Sequence, residues 1–137
     1  MIVDSSALVA IVHAEPDART YSDALSAATD VGMSAASYLE AGIVVDGIGD
    51  PVASRVFDNI IAQSQISIEA FSAEQAVIAR QAYRDFGKGS GHPARLNFGD
   101  CMSYALAKVT GRPLLFKGDD FCHTDVAPAI DPGQSRT

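Results

Sequence analysis

Short apolar runs alternate along the chain with longer stretches in which apolar residues recur at helical spacing. Ile2 and Val3 form an apolar pair stopped by Asp4, and residues 5–12 then carry apolar side chains three and four positions apart. This pattern predicts a short strand followed by a helix, with Asp4 or Ser5 at the helix N-cap.

The same alternation of strand and helix continues through the rest of the sequence. Pro51 is placed to open a helix, Gly111 to end one, and residues 72–75 resemble a capping box. The predicted strands cover residues 2–3, 31–34, 66–70 and 113–116. The predicted helices cover residues 5–12, 15–28, 35–48, 51–61, 76–86 and 98–110.

The helix predicted for residues 35–48 has an apparent apolar stripe. Ala36, Leu39, Ile43 and Val44 recur at helical spacing, and we expect them to face the core. Glu40 lies among them, where a carboxylate is costly unless it is paired or binds a metal. The alternative is a glutamate at the edge of the stripe that reaches solvent.

Alternating strands and helices without a hairpin signal predict an α/β fold. The strands are short and apolar, which favours a mainly parallel central sheet flanked by helices. We expect one domain over residues 1–130 and a flexible tail over 131–137. Sheets of this kind bind ligands beyond the carboxyl ends of their strands, so the residues after each strand are the candidates for chemistry.

Composition and charge narrow the class of protein. The 137 residues include 10 Lys or Arg and 17 Asp or Glu, giving a net charge of −7, and only two cysteines. We expect a soluble cytoplasmic protein without a signal peptide, a membrane span or a disulfide scaffold. Residues 80–117 nevertheless hold seven Lys or Arg and two acidic residues, so this segment could bind a polyanion or simply form a solvated face.

Acidic residues lie at or near the predicted carboxyl edge of the sheet. Each has an ordinary structural explanation: Asp4 as an N-cap, Asp100 in a capping arrangement, and Asp119 and Asp120 in a turn. Asp100 also shares a face of small residues with Ser103. Gathered together, however, carboxylates repel one another unless a cation neutralises them.

Hard oxygen ligands of this kind favour Mg²⁺, with Mn²⁺ as a possible substitute, and such ions serve phosphoryl chemistry. The three histidines and two cysteines lack zinc-ligand spacing, and no phosphate-binding loop or GxGxxG motif is present. The acidic residues are therefore the main candidates for catalytic and metal-binding residues in this sequence.

Four segments resemble the PIN-domain ribonucleases, and specifically the VapC-type toxins of type II toxin–antitoxin systems. They are IVDSSALVA at residues 2–10, SYLE at 37–40, LNFGDC at 96–101 and PLLFKGDDF at 113–121. Their order and spacing agree with that family over residues 1–130. The resemblance implies the PIN-like α/β fold and a metal-binding catalytic set of Asp4, Glu40 and Asp100.

The fourth acid departs from the family pattern. Many members have Thr-x-Asp-x-Asp-Phe at this point, and the first of those aspartates falls on Gly118 here. The resemblance therefore implies that Asp119 or Asp120 supplies the fourth catalytic carboxylate. It also implies that Ser6 is a supporting residue that hydrogen-bonds a carboxylate or a metal-bound water.

The resemblance implies a Mg²⁺-dependent endoribonuclease toxin that cleaves RNA by attack of an activated water on the phosphodiester. It further implies a homodimer, neutralisation by a cognate VapB-type antitoxin, and a heterotetramer or larger assembly with it. Lys88, Arg95 and Lys117 are candidate contacts to the RNA backbone. The alternatives are a catalytically inactive PIN-like binding module or another Mg²⁺-dependent phosphoryl-transfer α/β enzyme.

Overall fold

The computed structural model describes residues 1–131 and contains a sheet of four parallel strands in the order β3-β2-β1-β4. The predicted α/β class with a parallel sheet is confirmed. Most of the tail predicted for residues 131–137 lies outside the described residues. The strands are β1 (Ile2–Val3), β2 (Gly32–Ser34), β3 (Ser67–Glu69) and β4 (Leu114–Leu115).

Helices connect the strands and cover the sheet. The bounds predicted for the first and last helices are confirmed at both ends, whereas α5 begins three residues earlier than predicted. It does so because Ser72 Oγ accepts a hydrogen bond from Gln75 N and caps the helix. The helices are α1 (Ser5–Val12), α2 (Ala18–Ala27), α3 (Ala35–Asp46), α4 (Pro51–Gln63), α5 (Ala73–Phe86) and α6 (Phe98–Thr110).

The sheet separates two hydrophobic cores, and even its shortest strands contribute to both. Successive side chains of a strand point to opposite faces. Ile2 and Leu114 accordingly pack with α5 and α6, whereas Val3 and Leu115 pack with α1 to α4. This double burial holds strands of only two residues in place.

The apolar stripe predicted for α3 is wrong. The buried residues of this helix are Ser37, Ala41 and Val45, whereas Leu39 is 62 % exposed and Ile43 is 63 % exposed. Apolar residues occur on most sides of α3, so the pattern alone does not single out the buried face. The helix instead buries a face of smaller side chains.

An ion-pair network closes the amino-terminal edge of the sheet, opposite the candidate site. The Arg112 guanidinium donates to Glu69 Oε2 (3.0 Å) and to the carbonyl oxygens of Met1 and Asp30. Gly32 lies beneath this pair. A Cβ at Gly32 would come within 2.9 Å of Arg112 Nη1 and 3.1 Å of Glu69 Cδ.

We expect Gly32→Ala to lower the free energy of unfolding by about 1 kcal/mol, because the new methyl group displaces the Glu69 carboxylate from Arg112. The matched control is Gly42→Ala in α3, where a Cβ would meet only Phe57, at 4.0 Å. That change should raise the free energy of unfolding by about 0.5–1 kcal/mol through helix propensity. Urea denaturation of both variants measures the difference, and equal shifts would contradict the packing assigned to Gly32.

Candidate active site

A cavity of about 400 Å³ opens at the carboxyl-terminal edge of the sheet. Four of the predicted acids line it, and they come from four different parts of the chain. The cavity is therefore formed by the fold rather than by any local motif. Its acidic residues are Asp4, Glu15, Glu40, Asp100 and Asp120, and its other lining residues include Ser5, Ser6, Val9, Val44, Asn97 and Lys117.

Asp4 follows β1 directly and is held at both carboxylate oxygens. It is the N-cap of α1, and its Oδ2 accepts a hydrogen bond from Ser6 N at 3.0 Å. Its Oδ1 accepts a hydrogen bond from Ser103 Oγ at 2.5 Å. Asp4 is only 2 % exposed and lines the cavity. The same side chain therefore both caps α1 and contributes a carboxylate to the cavity wall.

Asp100 also combines a structural position with a place in the cavity. Asn97 and Asp100 form a full capping box at the start of α6, with Asn97 N donating to Asp100 Oδ2 at 3.0 Å. In return, Asp100 N donates to Asn97 Oδ1 at 2.8 Å. The capping box fixes the Asp100 carboxylate at the cavity wall.

The surroundings of Asp100 oppose its negative charge. The pKa of Asp100 is raised from 3.8 to about 7, and burial is the largest cause, although the hydrogen bond from the backbone of Asn97 works against the rise. The negative charges of Asp4, Asp120 and Glu40 also contribute to the rise. These four carboxyl groups are thus close enough to repel one another.

Glu40 reaches the cavity from α3 and lies against the first turn of α6. Ser5 Oγ donates a hydrogen bond to Glu40 Oε1 at 2.7 Å. A Cβ at Gly99 would fall 2.6 Å from Glu40 Cδ, so Gly99 leaves the space that the carboxyl group occupies. The sequence suggested neither contact, because Ser5 and Gly99 lie 35 and 59 positions away from Glu40 along the chain.

The two adjacent aspartates after β4 separate in the structure. Asp120 begins a short 3₁₀ helix (Asp120–His123) and lines the cavity, whereas Asp119 is absent from the lining formed by the described residues. Gly118, with φ of +99°, turns the chain between β4 and this helix. Asp120 is therefore the better placed of the two predicted candidates for the fourth acid.

Lys117 lies in the cavity wall with its ammonium group already paired. Its Nζ donates to Glu15 and, at 3.0 Å, to Asp17, and these hydrogen bonds raise the pKa of the ammonium group. Its backbone N–H donates to Ser6 Oγ at 3.0 Å, which joins the end of β4 to the start of α1. The RNA contact predicted for Lys117 stays a prediction, and Glu15 and Asp17 are partners that the sequence pattern does not suggest.

The other two candidate RNA contacts lie in the loop between α5 and α6. Lys88 and Arg95 are both exposed, and Arg95 has a positive φ of 53°. Their exposure is compatible with contacts to phosphate groups, and their role stays a prediction.

The donor set suits a hydrated divalent cation. Within residues 1–131, no three His, Cys, Asp or Glu side chains already converge to hold a metal ion together. Mg²⁺ usually retains several waters and is bound directly by only one or two carboxylates. A cavity of about 400 Å³ with four mutually repelling carboxyl groups fits such an ion better than a tightly chelated one.

The chain is similar to known proteins over nearly its whole length. The PIN domain family model matches residues 1–127. Ribonuclease VapC28 of Mycobacterium tuberculosis is 56 % identical over 131 residues, which cover 96 % of this chain and 98 % of that protein.

Solved structures agree at the level of the fold. VapC20 of Mycobacterium tuberculosis, described as a toxin that cleaves the sarcin–ricin loop, superposes with a TM-score of 0.69 at 18 % identity, over 93 % of this chain and 98 % of that chain. A toxin–antitoxin complex from Klebsiella pneumoniae gives the same TM-score at 14 % identity, over 96 % of each chain.

The helices of residues 1–131 are too short or too polar to span a lipid bilayer.

The raised pKa of Asp100 predicts a pH dependence of stability. Between pH 3.8 and about 7 the folded state binds more protons at Asp100 than the unfolded state, so rising pH lowers the free energy of unfolding. The Asn of Asp100→Asn can still accept the capping hydrogen bond but carries no charge. In EDTA, we expect the wild type to lose stability relative to Asp100→Asn between pH 5 and pH 8.

Urea denaturation of both proteins at several pH values measures this difference. Mg²⁺ should restore the stability of the wild type at pH 8 and have less effect on the variant. A pH-independent difference that favours the wild type would show that Asp100 acts only as a helix cap.

Proposed function

The chain belongs to the PIN-domain family and, within it, to the VapC-type ribonucleases, and from this we propose that it is a Mg²⁺-dependent endoribonuclease toxin neutralised by a cognate VapB-type antitoxin. The observation that carries the proposal is the acidic cavity, in which burial and three neighbouring carboxylates raise the pKa of Asp100 to about 7. Clustered negative charges raise the free energy of the folded protein, and a cation bound among them would lower it.

Asp4, Glu40 and Asp100 are the proposed metal-binding residues, with Asp120 as the fourth acid. Mg²⁺ or Mn²⁺ would supply the positive charge that activates water and stabilises the leaving oxygen of the phosphodiester. The protein contributes carboxylates in fixed positions: Ser6 N and Ser103 hold Asp4, Ser5 holds Glu40, and Asn97 holds Asp100.

RNA is the proposed substrate, with single-stranded loops as the accessible targets. Lys88 and Arg95, which are both exposed, are proposed to contact its phosphate groups, and such contacts position a substrate without reading its sequence. Lys117 is the third proposed RNA contact, and its bonds to Glu15 and Asp17 tie the segment between β4 and Asp120 to the start of α2.

The antitoxin is proposed to cover apolar residues beside the cavity. Val44 lines the cavity and is itself 45 % exposed, so the exposed side of α3 reaches the acids. A small protein seldom exposes so many large apolar side chains together without a partner. The exposed apolar residues of α3, α4 and their connection are Tyr38, Leu39, Ile43, Val44, Ile48, Val52 and Val56. The homodimer and the larger assembly stay predictions.

Substitution of the acids tests the catalytic proposal. We expect Asp4→Asn and Asp120→Asn to lower kcat/KM for RNA cleavage by about 100-fold or more, the loss typical of removing an electrostatic group at a reacting centre. Asp119→Asn is the matched control, because it removes the same charge from the same turn, outside the cavity lining, and we expect it to retain most of the activity.

Cleavage of a defined RNA in Mg²⁺, and again after chelation with EDTA, supplies the measurement. Activity that persists unchanged in EDTA would refute the metal-dependent mechanism. Growth inhibition that survives Asp4→Asn would instead favour the inactive binding module.

The antitoxin surface has its own test. We expect Ile43→Glu to weaken antitoxin binding at least about tenfold, because it places a charge in the proposed apolar contact, while cleavage by the free protein is unchanged. Val109→Glu on α6 is the control, since Val109 is also exposed but lies on another helix. Titration of RNA cleavage with purified antitoxin measures both variants, and equal inhibition would place the antitoxin elsewhere.

A further inference from the structure

A buried chain of hydroxyl groups leads to Asp4. Ser103 Oγ donates to Asp4 Oδ1 at 2.5 Å, and Ser37 Oγ lies 3.0 Å from Ser103 Oγ. Ser37 and Ser103 are both fully buried. The two serines therefore form a polar connection between α3, α6 and the end of β1 that water does not reach.

The direction of these hydrogen bonds follows from proton counting. A serine hydroxyl has one proton, and an ionised carboxylate can only accept. Because Ser103 donates its proton to Asp4, Ser37 must donate its own proton to Ser103. Each oxygen of the chain then has a partner, which is the condition under which buried polar groups rigidify a site.

The two serines are also placed to relate the acids to one another. Ser37 lies three residues before Glu40 on α3, and Ser103 lies three residues after Asp100 on α6, so each serine shares a helix face with an acid. The Ser37–Ser103 contact thus joins the two helices at positions about one turn along each helix from Glu40 and Asp100.

Asp4 depends on Ser103 for its orientation. Without Ser103, the hydrogen bonds described for the Asp4 carboxylate reduce to one, from Ser6 N to Oδ2. The terminal torsion of an aspartate is broad, so a single hydrogen bond leaves the plane of the carboxylate free to rotate. Bonds at both oxygens fix that plane.

We propose that Ser103, oriented by Ser37, is a positioning residue that holds the Asp4 carboxylate in the plane required to bind the divalent cation. The inference rests on the proposed metal-dependent function. Partners of this kind, bonded to a ligand rather than to the metal, change metal affinity or activity by about 10–100-fold when they are removed.

The experiment compares Ser103→Ala and Ser37→Ala with a control that removes a different buried hydroxyl. Ser34→Ala is that control: Ser34 is fully buried and caps α3 by accepting from Ala36 N, but no described hydrogen bond joins it to Asp4. For each full-length protein, thermal melts across a Mg²⁺ titration report the concentration that gives half-maximal stabilisation. RNA cleavage over the same titration reports kcat and KM.

We expect Ser103→Ala to raise the half-maximal Mg²⁺ concentration at least about tenfold in both measurements, and to lower kcat more than it changes KM for RNA. Ser37→Ala should give a smaller shift in the same direction, because the Ser103–Asp4 bond remains. Ser34→Ala should melt at a lower temperature but respond to Mg²⁺ at the wild-type concentration.

If Ser103→Ala and Ser34→Ala respond to Mg²⁺ at the same concentration, Ser103 is only a structural residue and the proposal is wrong. Tighter Mg²⁺ binding by Ser103→Ala would show that its hydroxyl competes with the cation, which also overturns the proposal. If Ser103→Ala does not fold, the comparison of Ser37→Ala with Ser34→Ala decides. A wild type that neither cleaves RNA nor responds to Mg²⁺ would refute the proposed function itself, which is a distinct result.

Discussion

Repulsion among carboxylates in one partly buried cavity is the constraint on which the rest of this structure depends. Negative charges that approach one another away from bulk water raise the free energy of the folded state. At Asp100, burial above all, together with the charges of Asp4, Asp120 and Glu40, raises the pKa to about 7. The fold holds the acids together because two hydrophobic cores, one on each face of the sheet, pack the elements that carry them.

Hydrogen bonds limit the cost of this arrangement without removing it. Backbone N–H groups of Ser6 and Asn97 and the hydroxyls of Ser5 and Ser103 each donate to a carboxylate oxygen. These donors stabilise the charged forms, but none of them carries the positive charge that would neutralise the cavity. Lys117, a cation in the cavity wall, has Glu15 and Asp17 as its partners. The site therefore favours a cation from outside the chain.

Sequence patterns predicted the parallel α/β arrangement and the shared edge of the acids, because both follow from strand–helix alternation and local caps. Asn97 and Gly111, for example, mark both ends of α6. The buried face of α3 was mispredicted because apolar residues surround that helix, and packing selected Ser37 and its neighbours instead. The bond between Ser103 and Asp4 spans 99 positions, so no local pattern could indicate it.

The pairing of β1 with β4 has a consequence for the order of events during synthesis. Ile2 pairs with Leu114, and Asp4 N donates to Leu115 O at 2.9 Å. The first strand thus has no neighbour on that side until the last strand has left the ribosome. Ribosomes add roughly 5–20 residues each second. The acidic cavity consequently assembles only after β4 has left the ribosome, and a shorter nascent chain carries Asp4 and Glu40 without a completed site.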